Sequence, residues 1–404
     1  MYIKRHIEPT IKKALNQSKV VLVTGARQVG KTTCVRELLG DYTYITLDDE
    51  NELNLALNDR GLFFRDRKFP LIIDEVQYAG ELLRAVKLEV DKTPKKGQIV
   101  LTGSQTYDLL GLSAESLAGR VSIIEMSSMS MREKLGIDCN LPFCPNSEYE
   151  SAREKNITRY DKLWSNIHRG SMPELMDPDR DWEWYWRDYV RTYIERDIRR
   201  IVNVKDEMKF RAFLTALAAH SGGMLIYDGL AKDIGVDSKT VMHWTSVVAA
   251  SGLVHILHTF SNNAIKRAIK TPKIYFMDTG LLCYLAGWKT VESAQNGAMS
   301  GSIFETFVVS EILKSYMNAG RDTDHIYYYR DKDKREIDIV IDTDSVIYPV
   351  EIKKSATVSN EWSSNMNALN SVQDRTVARG VVICLVDHKI NVSERVRALP
   401  IEYI

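Results

Sequence analysis

The 404-residue chain has 54 Lys and Arg against 54 Asp and Glu, so its formal net charge is zero, and its hydrophobic and charged fractions are 44% and 27%. These values sit close to those of a soluble globular protein of about two to four domains. Net charge gives no nucleic-acid signal, and any DNA or RNA contact needs a local basic face.

The N-terminus, "MYIKRHIEPTIKK", has no apolar h-region, and no stretch approaches the roughly 18 apolar residues of a membrane span. The chain is expected to be cytoplasmic with no membrane partner. Its five cysteines, at 34, 139, 144, 283 and 384, are scattered. Cys139 and Cys144 share one loop, but no second Cys pair or nearby His completes a zinc set, so reduced thiols are the reading.

"KVVLVT" reads as a buried parallel strand, and "KTTCVRELLG" as a helix ending at Gly40. Between them "GARQVGKT" matches G-x-x-x-x-G-K-[ST] from Gly25 to Thr32. Gly25 and Gly30 allow the loop through Ala26, Arg27, Gln28 and Val29 to turn its N–H groups inward, an anion nest at a helix N-terminus. Lys31 can reach the β- and γ-phosphates, and the Thr32 hydroxyl, followed by Thr33, can ligate Mg²⁺.

A β-rich segment, "DYTYITLDDE", and a helical stretch lead to "KFPLIIDEVQ", a strand ending in Asp74 and Glu75. Asp74 stands where a carboxylate orders the Mg²⁺ shell, and Glu75 can polarise an attacking water. This resembles the P-loop class with an extra strand between the two motif strands. A third strand, "GQIVLTGSQ", carries Thr102 and Ser104. The chain now resembles the AAA-type ATPases, and that resemblance implies a polar residue here that contacts the γ-phosphate or the water: Ser104, with Thr102 beside it. Arg120 in "SLAGRVSIIEM" occupies a place where this family often carries a phosphate-sensing arginine; an exposed arginine at a loop–strand junction is the alternative. The base-selecting N-K-x-D of GTPases is missing, since "NVKD" at 203–206 has the wrong order, so the nucleotide expected is ATP.

Beyond "SMSMREKLG" composition turns polar and loop-like. "DWEWYWRDYVRTYIERDIRRI", 181–201, is an aromatic-rich helix with Arg187, Arg191, Arg196, Arg199 and Arg200, interrupted by acidic residues at 183, 188, 195 and 197. It reads better as a helix packed between domains than as a base-stacking surface. "DGLAKDIGVDSKTVMHWTSVVAASGLVHIL" gives a short helix with Leu230, Ala231 and Ile234 on its apolar face, a turn at Gly235, a second helix capped by Ser238, and a strand, as in a winged helix. The residues that would enter a major groove are Asp237, Ser238, Lys239, Thr240 and His243. One lysine beside an aspartate is a poor phosphate surface, and such modules also bind proteins or act as lids.

"GSIFETFVVSEILKSYMNAG" is an amphipathic helix with Glu305 early in it. Two strands follow, around 337–341 and 346–353, joined by "DTDS". Asp338 lies on the first; Glu351 and Lys353, two apart, share a face of the second. The constellation resembles the PD-(D/E)xK nuclease fold, with Ile337 where many members have proline. That resemblance implies Asp338 and Glu351 as ligands of Mg²⁺ or Mn²⁺, Glu305 as the helix carboxylate, and Lys353 as the catalytic lysine.

From end to end the order resembles the prokaryotic AAA-type ATP-binding proteins with a poorly characterised C-terminal domain. The expected class is α/β: an AAA-type P-loop ATPase core with a parallel sheet at 1–130, a helical lid or linker at 131–205, a winged-helix segment at 206–275, and a restriction-endonuclease-like α/β domain at 276–404. Two functions stay open. One is an ATP hydrolase acting on DNA; the other is a nucleotide-dependent switch that binds a protein partner, its nuclease-like fold inert. A homo-oligomer is compatible with either.

Overall fold

The computed structural model describes residues 2–104, 116–198, 206–261, 270–371 and 375–404. Arg199 and Arg200 lie outside these described residues.

The N-terminal part is a five-stranded parallel sheet in the order β2-β3-β4-β1-β5. Its strands are β1 (Val20–Thr24), β2 (Thr43–Thr46), β3 (Leu71–Asp74), β4 (Ile99–Thr102) and β5 (Val121–Glu125). All residues of β1, β3 and β4 are buried, as strands covered on both faces require. Alternate residues of β1 feed opposite cores: Val21 and Val23 join the larger one, Val20 and Leu22 the smaller. Helices α1 (Glu8–Gln17), α2 (Lys31–Leu38), α3 (Glu50–Asn58), α4 (Arg60–Arg65) and α5 (Leu82–Asp91) complete this part. The strand lying between β1 and β3 in space is β4, paired in parallel with both. The intervening β2, adjacent in sequence, goes to the edge.

Short helices α6 (Met131–Lys134), α7 (Ser147–Glu154) and α8 (Leu163–Arg169) lead to α9 (Trp182–Tyr189), which continues as a π-helix over Val190–Ile198. Then come α10 (Glu207–Ala219), α11 (Tyr227–Ile234), α12 (Ser238–Ala250) and an antiparallel pair, β6 (Val254–Leu257) and β7 (Lys273–Phe276). Gly235 takes the left-handed conformation that ends α11. The cap of α12 is Asp237, not Ser238. The Asp237 carboxylate accepts from the Thr240 N–H, while Ser238 is already helical and turns its hydroxyl to Asp228. The carboxylate one residue earlier captures the free N–H first.

Helices α13 (Thr279–Leu285) and α14 (Val291–Asn296) pack against α8, and α13 also against α10. The 19-residue α15 (Ser300–Asn318) is buried along most of its length, as a helix enclosed by other elements is. Its Glu311 accepts from the Met131 N–H at 2.6 Å, and the Lys314 ammonium donates to the carbonyl of Met129 and the hydroxyl of Ser171. The last sheet runs β13-β14-β12-β10-β9-β8, with β11 on β10. Its members are β8 (Ile326–Arg330), β9 (Glu336–Asp342), β10 (Val346–Ile352), β11 (Thr376–Val377), β12 (Gly380–Cys384), β13 (Ile390–Asn391) and β14 (Val396–Pro400). β8, β9 and β10 form an antiparallel meander, and β10, β12 and β14 are parallel. Among the described residues no helix is long and apolar enough to cross a membrane.

One buried ion pair ties the N-terminal segment to α6. The Arg5 guanidinium lies 3.0 Å from Glu133, both side chains being inaccessible. Burial pushes the Glu133 carboxyl up, but Arg5 and the N–H groups of Ser130 and His6 outweigh it, so its pKa falls below 4.5. The stabilisation is therefore present above the unfolded carboxylate range and is lost as pH falls through the lowered folded value. Arg5→Met leaves Glu133 buried and unpaired, and should cost about 3–5 kcal/mol. Urea denaturation at neutral pH measures this, and a loss below about 1 kcal/mol is what an exposed, dispensable pair would give.

Candidate nucleotide site

The P-loop follows β1 at the C-terminal edge of the parallel sheet. Gly25 has φ 149°, and a Cβ there would meet the Met126 carbonyl oxygen at 2.1 Å, so the loop leaves the strand in contact with the chain beyond β5. Gly30 (φ 92°) turns the chain into α2. Ala26 and Val29 are buried, Arg27 is half-buried, and Gln28 and Thr33 are exposed.

Lys31 is nearly inaccessible, and its ammonium donates to the carbonyls of Gly25 at 3.0 Å and Ala26 at 2.8 Å. Burial lowers its pKa to about 8, against the opposing pull of Glu75 and Asp74. The cation is thus folded into the loop whose N–H groups would cradle a phosphate.

Asp74, at the end of β3, gathers three hydroxyls. Thr32 Oγ1 donates at 3.0 Å, Tyr44 OH donates at 2.8 Å to Oδ2, and Thr102 Oγ1 donates to Oδ1. Parallel pairing explains the meeting: β2 and β4 flank β3, with Thr46 opposite Asp74 and Leu101 opposite Ile73. Glu75 follows in a left-handed conformation (φ 57°), and Gln77 Nε2 donates to its carboxylate. Ser104 is buried, and its Oγ has no hydrogen-bond partner among the described residues. Lys31, Thr32, Asp74, Glu75 and Ser104 therefore share one edge of the sheet.

Arg120 does not join them. It precedes β5, its carbonyl accepting from the Val20 N–H at the opposite edge, and the five residues of β5 separate it from the P-loop edge, roughly 17 Å. Its guanidinium pairs with Asp91 at 2.8 Å.

Residues that sequence reading missed hold the loop from outside. Arg5 Nη1 donates to the Val29 carbonyl at 2.8 Å. Tyr185 OH donates to Gln28 at 2.8 Å, Tyr189 OH to the Arg27 carbonyl at 3.4 Å, and the Arg27 guanidinium sits 5.5 Å from the Tyr193 ring centre. The aromatic run at 181–201 was legible as interdomain packing, but its tyrosines' aim at the P-loop was not. Tyr44 carried no signal of its own, since its reach to Asp74 depends on β2 pairing with β3.

In the C-terminal part Asp338, Glu351, Lys353 and Glu305 come together. Lys353 Nζ lies 2.8 Å from Glu351 and 3.7 Å from Asp338, and Asp338 Oδ2 accepts from the Ile352 N–H at 2.8 Å. Burial, with Asp338 nearby, pushes the Glu351 and Glu305 carboxyls up. A residue missed in sequence stands among them. Lys273 Nζ is 3.1 Å from Glu305, 2.6 Å from Glu336 and 3.9 Å from Asp338. Among the described residues no group of three or more His, Cys, Asp or Glu side chains is arranged to hold a metal ion. Of the carboxylates expected as ligands of a second Mg²⁺ or Mn²⁺, Glu305 is met by Lys273 and Glu351 by Lys353 through Oε2, while Glu351 Oε1 has no hydrogen-bond partner among the described residues.

Comparison with known proteins gives three family matches along the chain: an AAA domain at 17–135, a domain of unknown function (DUF8612) at 160–292, and another (DUF4143) at 300–404. The chain is 28% identical to the uncharacterized protein Mb2031c of Mycobacterium bovis, over 99% of this chain and 84% of that one. The uncharacterized protein Rv2008c of Mycobacterium tuberculosis matches with the same figures. Among solved structures, the Walker-type ATPase PABY2304 of Pyrococcus abyssi aligns with 69% of this chain and 94% of its own, at 16% identity and TM-score 0.41. The signal-transduction ATPase with numerous domains PH0952 of Pyrococcus horikoshii aligns with 79% of this chain and 47% of its own, at 13% identity and TM-score 0.27. The P-loop, the parallel sheet with β4 between the motif strands, and the match at 17–135 all fall in one part of the chain, which is similar to an AAA domain.

Proposed function

We propose that the chain binds and hydrolyses ATP with Mg²⁺ and uses the nucleotide state as a switch for a protein partner. The observation that carries the ATP reading is the meeting of Lys31, Thr32, Asp74, Glu75 and the Ser104 hydroxyl, unpartnered among the described residues, at one sheet edge. The oxygen donors of Thr32 and Asp74, already in contact, are the hard ligand set that Mg²⁺ prefers. When bound, Mg²⁺ neutralises charge on the β- and γ-phosphates. Lys31 exchanges two backbone carbonyls for the γ-phosphate, Ser104 donates to the phosphate or the water, and Glu75 takes the proton of the attacking water.

The switch reading rests on the hydrogen bonds from Arg5, Tyr185 and Tyr189 to the P-loop, which link its conformation to α9 and the N-terminal segment. A DNA-acting enzyme is the second reading. The order of three helices and a hairpin over 207–276 supports a winged helix, and α15 with the β8–β9–β10 meander and parallel β12 supports a restriction-endonuclease-like fold. Against DNA reading by α12 stands Asp237 at its N-terminus, exposed beside Lys239. The internal cation at the C-terminal carboxylates favours a domain that does not cut.

Lys31→Ala should weaken ATP binding at least about 100-fold in titration calorimetry, because no other motif side chain supplies a cation to the γ-phosphate; wild-type affinity would refute the site. Glu75→Gln should still bind ATP while turnover falls about 10²-fold or more, and normal turnover would move the base elsewhere. Wild-type ATPase turnover measured with and without single- and double-stranded DNA separates the readings. The switch reading expects no change, and stimulation by DNA would transfer the proposal to the DNA-acting enzyme.

A further inference from the structure

The C-terminal carboxylates already possess a cation, and it comes from outside their own sheet. Lys273 lies on β7, in the two-stranded β6–β7 sheet. It is 3% exposed. Its ammonium reaches Glu305 of α15 at 3.1 Å and Glu336 of β9 at 2.6 Å, with Asp338 at 3.9 Å. Tyr275, on the same strand, donates to Glu305 at 2.6 Å, and the ammonium lies 5.7 Å from the Tyr328 ring centre, a further site of attraction for a cation. Nearby, Arg330 pairs with Glu336 at 3.2 Å and Lys353 with Glu351 Oε2 at 2.8 Å, while Glu351 Oε1, outside this cluster, is buried with no hydrogen-bond partner among the described residues.

Mg²⁺ requires near-octahedral oxygen ligands at about 2.0–2.1 Å. An ammonium hydrogen-bonded to two of the carboxylates and within 4 Å of the third fills the space between them, and like charges so close repel strongly in a desolvated setting. The cluster as it stands does not fit a divalent ion.

We propose that Lys273 is the resident cation of the Glu305, Glu336 and Asp338 cluster, and that the β6–β7 hairpin so holds the C-terminal carboxylates closed to divalent metal. This is an autoinhibitory contact between the strand pair and the following domain, independent of whether the P-loop hydrolyses ATP. Lys273→Met removes the charge with little change of volume and leaves three carboxylates facing each other, so the variant should recruit a metal ion in its place.

The test is Mn²⁺ binding by the full-length, nucleotide-free chain, counted by electron paramagnetic resonance, together with Tm with and without Mn²⁺. Lys273→Met should bind one more Mn²⁺ than wild type and show a larger Mn²⁺-dependent rise in Tm. Both gains should vanish in Lys273→Met/Asp338→Asn, and Lys273→Arg, which keeps a cation, should match wild type. The proposal is overturned if folded Lys273→Met gains no ion, or if wild type binds an ion that Asp338→Asn loses. Should Lys273→Met not fold, wild type against Asp338→Asn decides: equal Mn²⁺ uptake supports closure, and unequal uptake overturns it.

Discussion

One carboxylate organises the nucleotide edge. Asp74 accepts from Thr32 at the start of α2, from Tyr44 on β2 and from Thr102 on β4, so a single buried acceptor joins the P-loop helix to three adjacent strands. A carboxylate that accepts from several donors fixes all of them in direction. Its position follows from strand order: only because β4 lies between β1 and β3, and β2 beyond β3, do these hydroxyls face the same oxygen pair. Thr32 is thereby held at the carboxylate, so on the proposed reading the two groups that would ligate Mg²⁺ are already in contact.

The same edge is connected outward by few, well-defined bonds. Lys31 satisfies itself on the carbonyls of Gly25 and Ala26, and the loop's next carbonyls and side chain are taken by Arg5, Tyr189 and Tyr185. On the proposed reading, a Lys31 turned toward a phosphate would leave the Gly25 and Ala26 carbonyls without their donor, beneath the bonds from those three residues. The π-helical stretch Val190–Ile198 continues α9 past Tyr189 and carries Tyr193 to Arg27, and such irregular turns recur at functional sites. Buried α15 reaches α6 through Glu311 and the Met129 carbonyl just before it through Lys314, while offering Glu305 to Lys273. The helix thus touches both the P-loop part of the chain and the C-terminal cluster.

What the sequence made legible was local. The P-loop, Asp74 and Glu75 are read within a few residues of a strand, and the structure brings them together because a buried apolar run and a glycine-framed loop allow little else. The pairing of Asp338, Glu351 and Lys353 was legible too, since period-two alternation and a four-residue turn fix the register of β9 and β10. What depended on distant contacts was hidden. Nothing near Tyr44 announces that β2 will lie beside β3, and Lys273 sits on a hairpin well before the carboxylates it meets. Arg120 follows a motif in sequence, yet parallel strands put the start of β5 at the edge away from the P-loop. The cap of α12 moved by one residue because two capping types, Asp237 and Ser238, stand side by side and only geometry chooses between them.

The preorganised Asp74 cluster is tested most directly by the Mg²⁺ dependence of ATP binding. Calorimetric titration of wild type and Asp74→Asn, each with and without Mg²⁺, isolates what this carboxylate contributes. Wild type should bind ATP at least about tenfold more tightly with Mg²⁺ than without, and Asp74→Asn should lose most of that gain while remaining folded. An Asp74→Asn chain that keeps the full Mg²⁺-dependent gain would contradict the role assigned to Asp74 and the site built around it.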